Sequence, residues 1–130
     1  MRLLLDTHVF LWYITADPKL PDAFRAAIQD GANESYLSVA SIWEVLIKCG
    51  LGKLTLPGPP ADYLPQQRIA HAIASLPVDE GAMPHLAGLP PLHRDPFDRL
   101  LVAQALQHGL NIATVDPDIV AYRVPVLPAA

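Results

Sequence analysis

Cysteine is nearly missing from this chain: Cys49 stands alone among 130 residues. No internal disulfide can form and no Cys/His zinc pattern is available. That suits a reducing compartment. Charge is also scarce, at 17% of residues against a typical share of about 25%. Nor is it basic. Nine Lys and Arg face thirteen Asp and Glu, for a net charge of −4. A protein that holds nucleic acid by a broad cationic surface is thereby disfavoured. A local acidic cluster that recruits cations is not, because bound ions invert its sign. No apolar run reaches the ~18 residues needed to span a bilayer. The opening MRLLLDTHVFLWYITADP resembles a signal peptide only briefly. Asp6 and His8 interrupt it, and no small-residue cleavage site follows. The expectation is a mature cytoplasmic start.

Hydrophobic residues make up 52% of the sequence, far from a disordered composition. The length suits one domain, residues 1–130, with a core of its own. Leu3, Leu4 and Leu5 read as a buried strand over Arg2–Leu5 that ends at Asp6. Helices are expected over Thr7–Thr15 and over Asp22–Asp30 after Pro21. A second strand, Ser35–Ser38, leads into a helix Ala40–Cys49 stopped by Gly50. Residues 51–60 form a loop, and Asp62–Ala74 a further helix. A third strand is placed at Leu76–Val78 and a short helix at Glu80–Ala87. The clearest helix, Phe97–His108, is capped by Gly109. Asn111–Val115 and Val124–Leu127 read as strands around a helical turn at Pro117–Tyr122. Short apolar strands alternating with helices point to an α/β fold, a three-layer sandwich whose mostly parallel central sheet is flanked by helices.

The acids share a local address. Asp6 and Asp116 each end a strand and precede a helix, and Asp95 and Asp98 flank Pro96 at a helix start. In an open α/β sheet, ligands collect outside the carboxyl ends of the strands. Yet Asp is a preferred N-cap and Pro a preferred first helical residue, so each acid also has an ordinary structural explanation. Glu44 is different. It sits mid-helix among Ile42, Trp43, Val45, Leu46 and Ile47, where no cap is needed. An ionised carboxylate buried without a partner costs several kcal/mol. Both an ion pair with Lys48, in the favourable i, i+4 order, and a metal-ligand role remain open for it. Asp98 shares a helix face with Leu101, Val102 and Ala105, so its carboxylate should lie inward. Converging acids repel, and an all-oxygen donor set suits Mg²⁺ or Mn²⁺ better than Zn²⁺.

The phrases LLLDTHVFLW, LSVASIWEVLIKCGLGKL and HRDPFDRLLVAQALQHGLNIATVD, in this order, resemble the PIN domain. More narrowly they resemble the single-domain, VapC-like ribonuclease toxins of type II toxin–antitoxin pairs. The resemblance covers nearly the whole chain. It implies a Mg²⁺- or Mn²⁺-dependent endoribonuclease, an RNA substrate, an antitoxin partner and a homodimer, with no membrane association. The family's acids fall on Asp6, Glu44, Asp98 and Asp116, as catalytic residues and metal ligands. Asp95 is a fifth, outer acid, and Asp118 a surface residue. Around them, Thr7, Ser38 and Thr114 are expected to orient carboxylates or water. Lys48 and Arg99 are the nearest candidates for backbone phosphates, with Lys53 and Arg94 also flanking the acids. A general-base role for His8 or His93 is a lesser alternative, since metal-activated water already supplies a nucleophile. Trp12, Tyr13 and Trp43 offer either base stacking or packing. Surplus apolar residues on the first helix (Phe10, Leu11, Trp12, Ile14) suggest a subunit contact there. Two rivals stand beside this reading. One is a haloacid-dehalogenase-like phosphatase, which lacks its second acid because His8 occupies that position. The other is a PIN-like module that binds RNA or protein without cutting.

Overall fold

The computed structural model describes residues 1–122 and 124–127; the expected domain 1–130 therefore extends over residues 123 and 128–130, which lie outside the described residues. Four strands form one sheet: β1 (Arg2–Leu5), β2 (Glu34–Ser38), β3 (Ala74–Leu76) and β4 (Asn111–Ala113). Their spatial order is β3-β2-β1-β4 and every pairing is parallel. Parallel neighbours need crossovers. Helices α1 (Thr7–Ile14) and α2 (Asp22–Gln29) join β1 to β2. Then α3 (Val39–Gly50) and α4 (Pro60–Ala70) join β2 to β3, and α5 (Met83–Ala87) and α6 (Pro96–His108) return the chain to β4. A last turn, α7 (Pro117–Val120), follows.

The pleat of β1 explains the layers. Successive side chains point to opposite faces of a sheet. Leu3 and Leu5 pack on one side with Val9, Phe10, Phe24, Leu37, Val45 and Leu64. Leu4 packs on the other with Leu101, Val102, Ala105, Ile112 and Ile119. All three leucines are fully buried. Helices α1 to α4 thus cover one face and α6 with α7 the other, giving the expected three layers. The chain moves outward from β1 to β3 and then jumps back to place β4 beside β1. That reversal leaves a crevice at the carboxyl ends of β1 and β4, where such sheets bind ligands.

Several boundaries differ from expectation. Helix α4 begins at Pro60, whose fixed φ suits the first helical position, and ends at Ala70, before Ala72 turns to φ +56°. The third strand therefore lies at Ala74–Leu76 rather than 76–78. Helix α3 runs through Gly50; the left-handed residue is Gly52, at φ +74°. The expected strand Val124–Leu127 is a single bridge, Ile112 to Val126, with two backbone hydrogen bonds of 2.8 Å to Ile112. Pro125 has no N–H with which to extend a ladder. At α6 the expectation is met: Gly109 closes the helix at φ +65°, a conformation glycine adopts without penalty.

Candidate metal centre

Register places the first acid. Leu5 pairs with Ala113 across β1 and β4, so the next step sets Asp6 against Thr114. The Thr114 hydroxyl donates to Asp6 Oδ2 at 2.8 Å. Asp6 precedes α1 but makes no side-chain capping hydrogen bond. It is 5% exposed, so the carboxylate is buried for a reason other than closing its helix. Burial raises its pKa above the usual carboxylate value, and the Glu44 charge adds to this, against the Thr114 hydroxyl and His8.

The other acids divide in the same way. Asp95 does cap α6, its Oδ1 accepting from the Phe97 N–H at 2.9 Å. Asp116 does both: Oδ1 caps α7 through the Asp118 N–H at 2.9 Å, while Oδ2 lies 3.2 Å from His93 Nε2. Asp98, in the first turn of α6, caps nothing and turns inward above the buried Leu101 and Val102. Its Oδ2 stands 2.9 Å from the same His93 nitrogen. Burial, and then the charges of Asp6, Asp95 and Glu44, push the Asp98 carboxyl up to about 7.

Of the two readings left open for Glu44, the structure contains the ion pair. Lys48 Nζ lies 3.1 Å from Oε2, and Thr7 Oγ1 donates to Oε1 at 2.8 Å. Thr7 also shares a 2.9 Å hydrogen bond with Ser41. Asp6, Glu44, Asp95, Asp98 and Asp116 line one cleft of about 310 Å³, together with His8, Trp12 and Lys48. Carboxylates from four separate stretches of chain are therefore gathered on one side of the sheet. Among the described residues, His93, Asp98 and Asp116 bring ligand atoms within 4.8 Å of one another.

Two expectations are corrected. Ser38 is buried and caps α3: its hydroxyl donates to Gln104 Oε1 at 2.6 Å and accepts from the Ala40 N–H. It cannot orient the acids. Arg99 faces away, donating to the Pro90 carbonyl at 2.9 Å and to Tyr122 OH at 3.0 Å, and does not line the cleft. On the first helix Phe10 is buried, while Leu11, Trp12 and Ile14 pack against the core but stay half-exposed. More fully exposed apolar residues sit on α3 and just beyond it: Val39, Trp43, Leu46, Ile47 and Leu51.

Two residues gain weight. The His93 ring bridges Asp98 and Asp116, and the Asp95 N–H points at its Nδ1 at 3.1 Å. That fixes the neutral ring's proton on Nε2, aimed at the carboxylates. Burial pulls the His93 pKa down, but the hydrogen bond to Asp116 and the charges of Asp98 and Asp116 more than reverse it. Ser41 was not foreseen; its signal was its place one turn before Glu44, on the same helix face.

A family model, the PIN domain, matches residues 3–125. This chain belongs to the PIN domain family. Two relatives come from Mycobacterium tuberculosis. Ribonuclease VapC22 is 27% identical over 124 residues, 95% of this chain and 93% of that protein. Ribonuclease VapC16 is 41% identical over 61 residues, and the match spans only 43% of its length. The fold agrees with solved structures at lower identity. VapBC2 from Rickettsia felis, bound to a promoter DNA fragment, aligns with a TM-score of 0.70 at 14% identity over 98% of both chains. VapBC-1 from nontypeable Haemophilus influenzae gives 0.67 at 16% identity, over 99% of this chain and 98% of that one.

Proposed function

We propose that this PIN domain is a Mg²⁺- or Mn²⁺-dependent endoribonuclease, the toxin of a type II toxin–antitoxin pair, acting in the cytoplasm. One observation carries the proposal: Asp6, Glu44, Asp98 and Asp116 line a single cleft, where burial and then the neighbouring carboxylate charges push the Asp98 carboxyl up to about 7. The names of the two ribonuclease relatives support the activity. The VapBC complexes among the solved structures support an antitoxin partner.

The donor set fits a hard divalent cation. The four carboxylates offer oxygens, the preferred ligands of Mg²⁺ and Mn²⁺. When bound, the ion supplies a more acidic water and charge stabilisation for phosphodiester hydrolysis. The chain's own groups do the rest. Thr114 and Thr7 fix the orientation of Asp6 and Glu44, as outer hydroxyls do around metal ligands. His93 Nε2–H aligns Asp98 with Asp116, and Asp95 adds charge from the rim. Lys48, beside Glu44 and one-third exposed, is placed to meet a backbone phosphate. The α3 face of Val39, Trp43, Leu46 and Ile47 is the surface for the homodimer contact.

The test is substitution with a metal readout. Asp6→Asn and Asp116→Asn should abolish Mn²⁺-dependent cleavage of a single-stranded RNA while the circular dichroism spectrum is retained. Full cleavage by either variant overturns the assignment. Retained Mn²⁺ binding without any cleavage by the wild-type protein supports the non-cutting module instead.

A further inference from the structure

A second cavity of about 460 Å³ adjoins the acidic cleft, between α1, α3 and the segment at residues 53–56. Its walls are mostly apolar: Leu11, Val45, Leu54 and Leu56. The two cavities share His8, Trp12 and Lys48, so one opens into the other past these side chains. Lys53 stands in the second cavity only and is exposed. Asp17 is its one acid, and its Oδ1 already accepts the Lys19 N–H at 2.9 Å.

We propose that this groove is a nucleobase subsite that takes the nucleotide on one side of the cleaved bond. The inference rests on the ribonuclease reading and adds to it a specificity-determining surface. A phosphate held at the acids leaves its neighbouring nucleotide next to Trp12 and Lys48. Aromatic faces stack any base, and such stacking is a main source of affinity for single strands. The volume lies in the range of small-ligand sites, enough for one base but not for a duplex. Lys53, which lines the groove alone, matches the phosphate on the far side of that base, and Lys48 at the junction the one beside the acids. An apolar protein segment would use the same walls, but it gains nothing from lysines at the junction with the acids.

The test uses the cleavage-impaired Asp6→Asn protein in a Trp43→Phe background, leaving Trp12 as its sole tryptophan. The probe is a six-nucleotide single-stranded RNA in Mn²⁺, with an end label for anisotropy. Binding should quench Trp12 fluorescence. Removing the base at one position next to the cleaved bond should abolish the quench and weaken binding about 10-fold or more; removal elsewhere should not. Lys53→Glu, on an exposed loop, should weaken binding to a similar degree without shifting the melting temperature, and Trp12→Leu should erase the preference for that base. Undiminished RNA binding by both variants would refute the subsite and leave the groove to a protein segment. Outcomes for the parent reading separate cleanly. Binding that obeys Trp12 and Lys53 without cleavage by wild-type protein sinks hydrolysis alone. Cleavage indifferent to both residues sinks the subsite alone.

Discussion

Replacing Asp98 by asparagine should stabilise the metal-free protein at pH 8, and by less than half as much at pH 5. The carboxyl ordinarily titrates at 3.8 and is pushed to about 7 by burial and by the charges of Asp6, Asp95 and Glu44. The folded state therefore keeps its proton where the unfolded chain has lost it. Such a group supports folding fully below about pH 4, and the support drains away as pH climbs to about 7. Each pH unit in that window is worth about 1.4 kcal/mol, so the ceiling at pH 8 is about 4 kcal/mol. Water and salt at the cleft mouth reduce this to about 2 kcal/mol. Asparagine removes the charge and keeps the shape, and His93 retains Asp116 as a partner at 3.2 Å. For a chain of this length about 2 kcal/mol corresponds to roughly 6–10 °C in melting temperature. The assay is thermal unfolding of both proteins in EDTA at pH 5 and pH 8, then in millimolar Mn²⁺. The wild-type protein should gain stability from Mn²⁺ at pH 8, by about 2.7 kcal/mol if the ion is at a hundred times its Kd. Asp98→Asn should gain little. An asparagine variant no more stable than wild type at pH 8, or one equally stabilised at both pH values, would refute the electrostatic account of the cleft.

Thr114→Val should leave Asp6 buried without its hydroxyl partner; calorimetry should show Mn²⁺ binding weakened about 10- to 100-fold, and an unchanged Kd would place Asp6 outside the metal site. Tyr122→Phe removes the hydroxyl that accepts from both the His93 N–H at 2.7 Å and Arg99 at 3.0 Å. Cleavage should fall several-fold as His93 loosens, while Arg99→Lys, which cannot span Pro90 and Tyr122 with one fork, should give a similar loss; equal activity in both would show that the loop is held by other contacts. Gln104→Leu should cost about 1–3 kcal/mol in urea unfolding, because it strands the Ser38 hydroxyl and the Pro77 carbonyl. Gly109→Ala, at φ +65° with no atom near its would-be Cβ, should cost about 1 kcal/mol from backbone conformation alone.

What could be read ahead of the structure, and what could not, follows from the range of the interaction concerned. Leu3-Leu4-Leu5 announced a strand buried on both faces, and Asp98 with Leu101, Val102 and Ala105 announced an inward carboxylate. Both signals lie within one turn or one strand, and both hold in the structure. Strand order, by contrast, is set by where β4 returns, and nothing local to Asn111–Ala113 says that it lies beside β1. Without that neighbour Asp6 has no Thr114, and the capping reading of Asp6 is as good as any other. The pairing Leu5–Ala113 decides the matter: it sets the Asp6 carboxylate to accept from a hydroxyl across the sheet, without a side-chain capping bond to its own helix. Ser38 and Arg99 fail for the same reason in reverse. Their chain neighbours put them near acids, but Gln104, sixty-six residues along from Ser38, claims the hydroxyl, and Tyr122 claims the guanidinium. His93 shows the limit most clearly. A histidine five residues before Asp98 carries no distinctive pattern, yet the return of the chain at Asp116 makes its Nε2 the atom shared by two carboxylates. Polar residues are assigned by their partners, and partners far apart in sequence become visible only once the sheet has closed the distance.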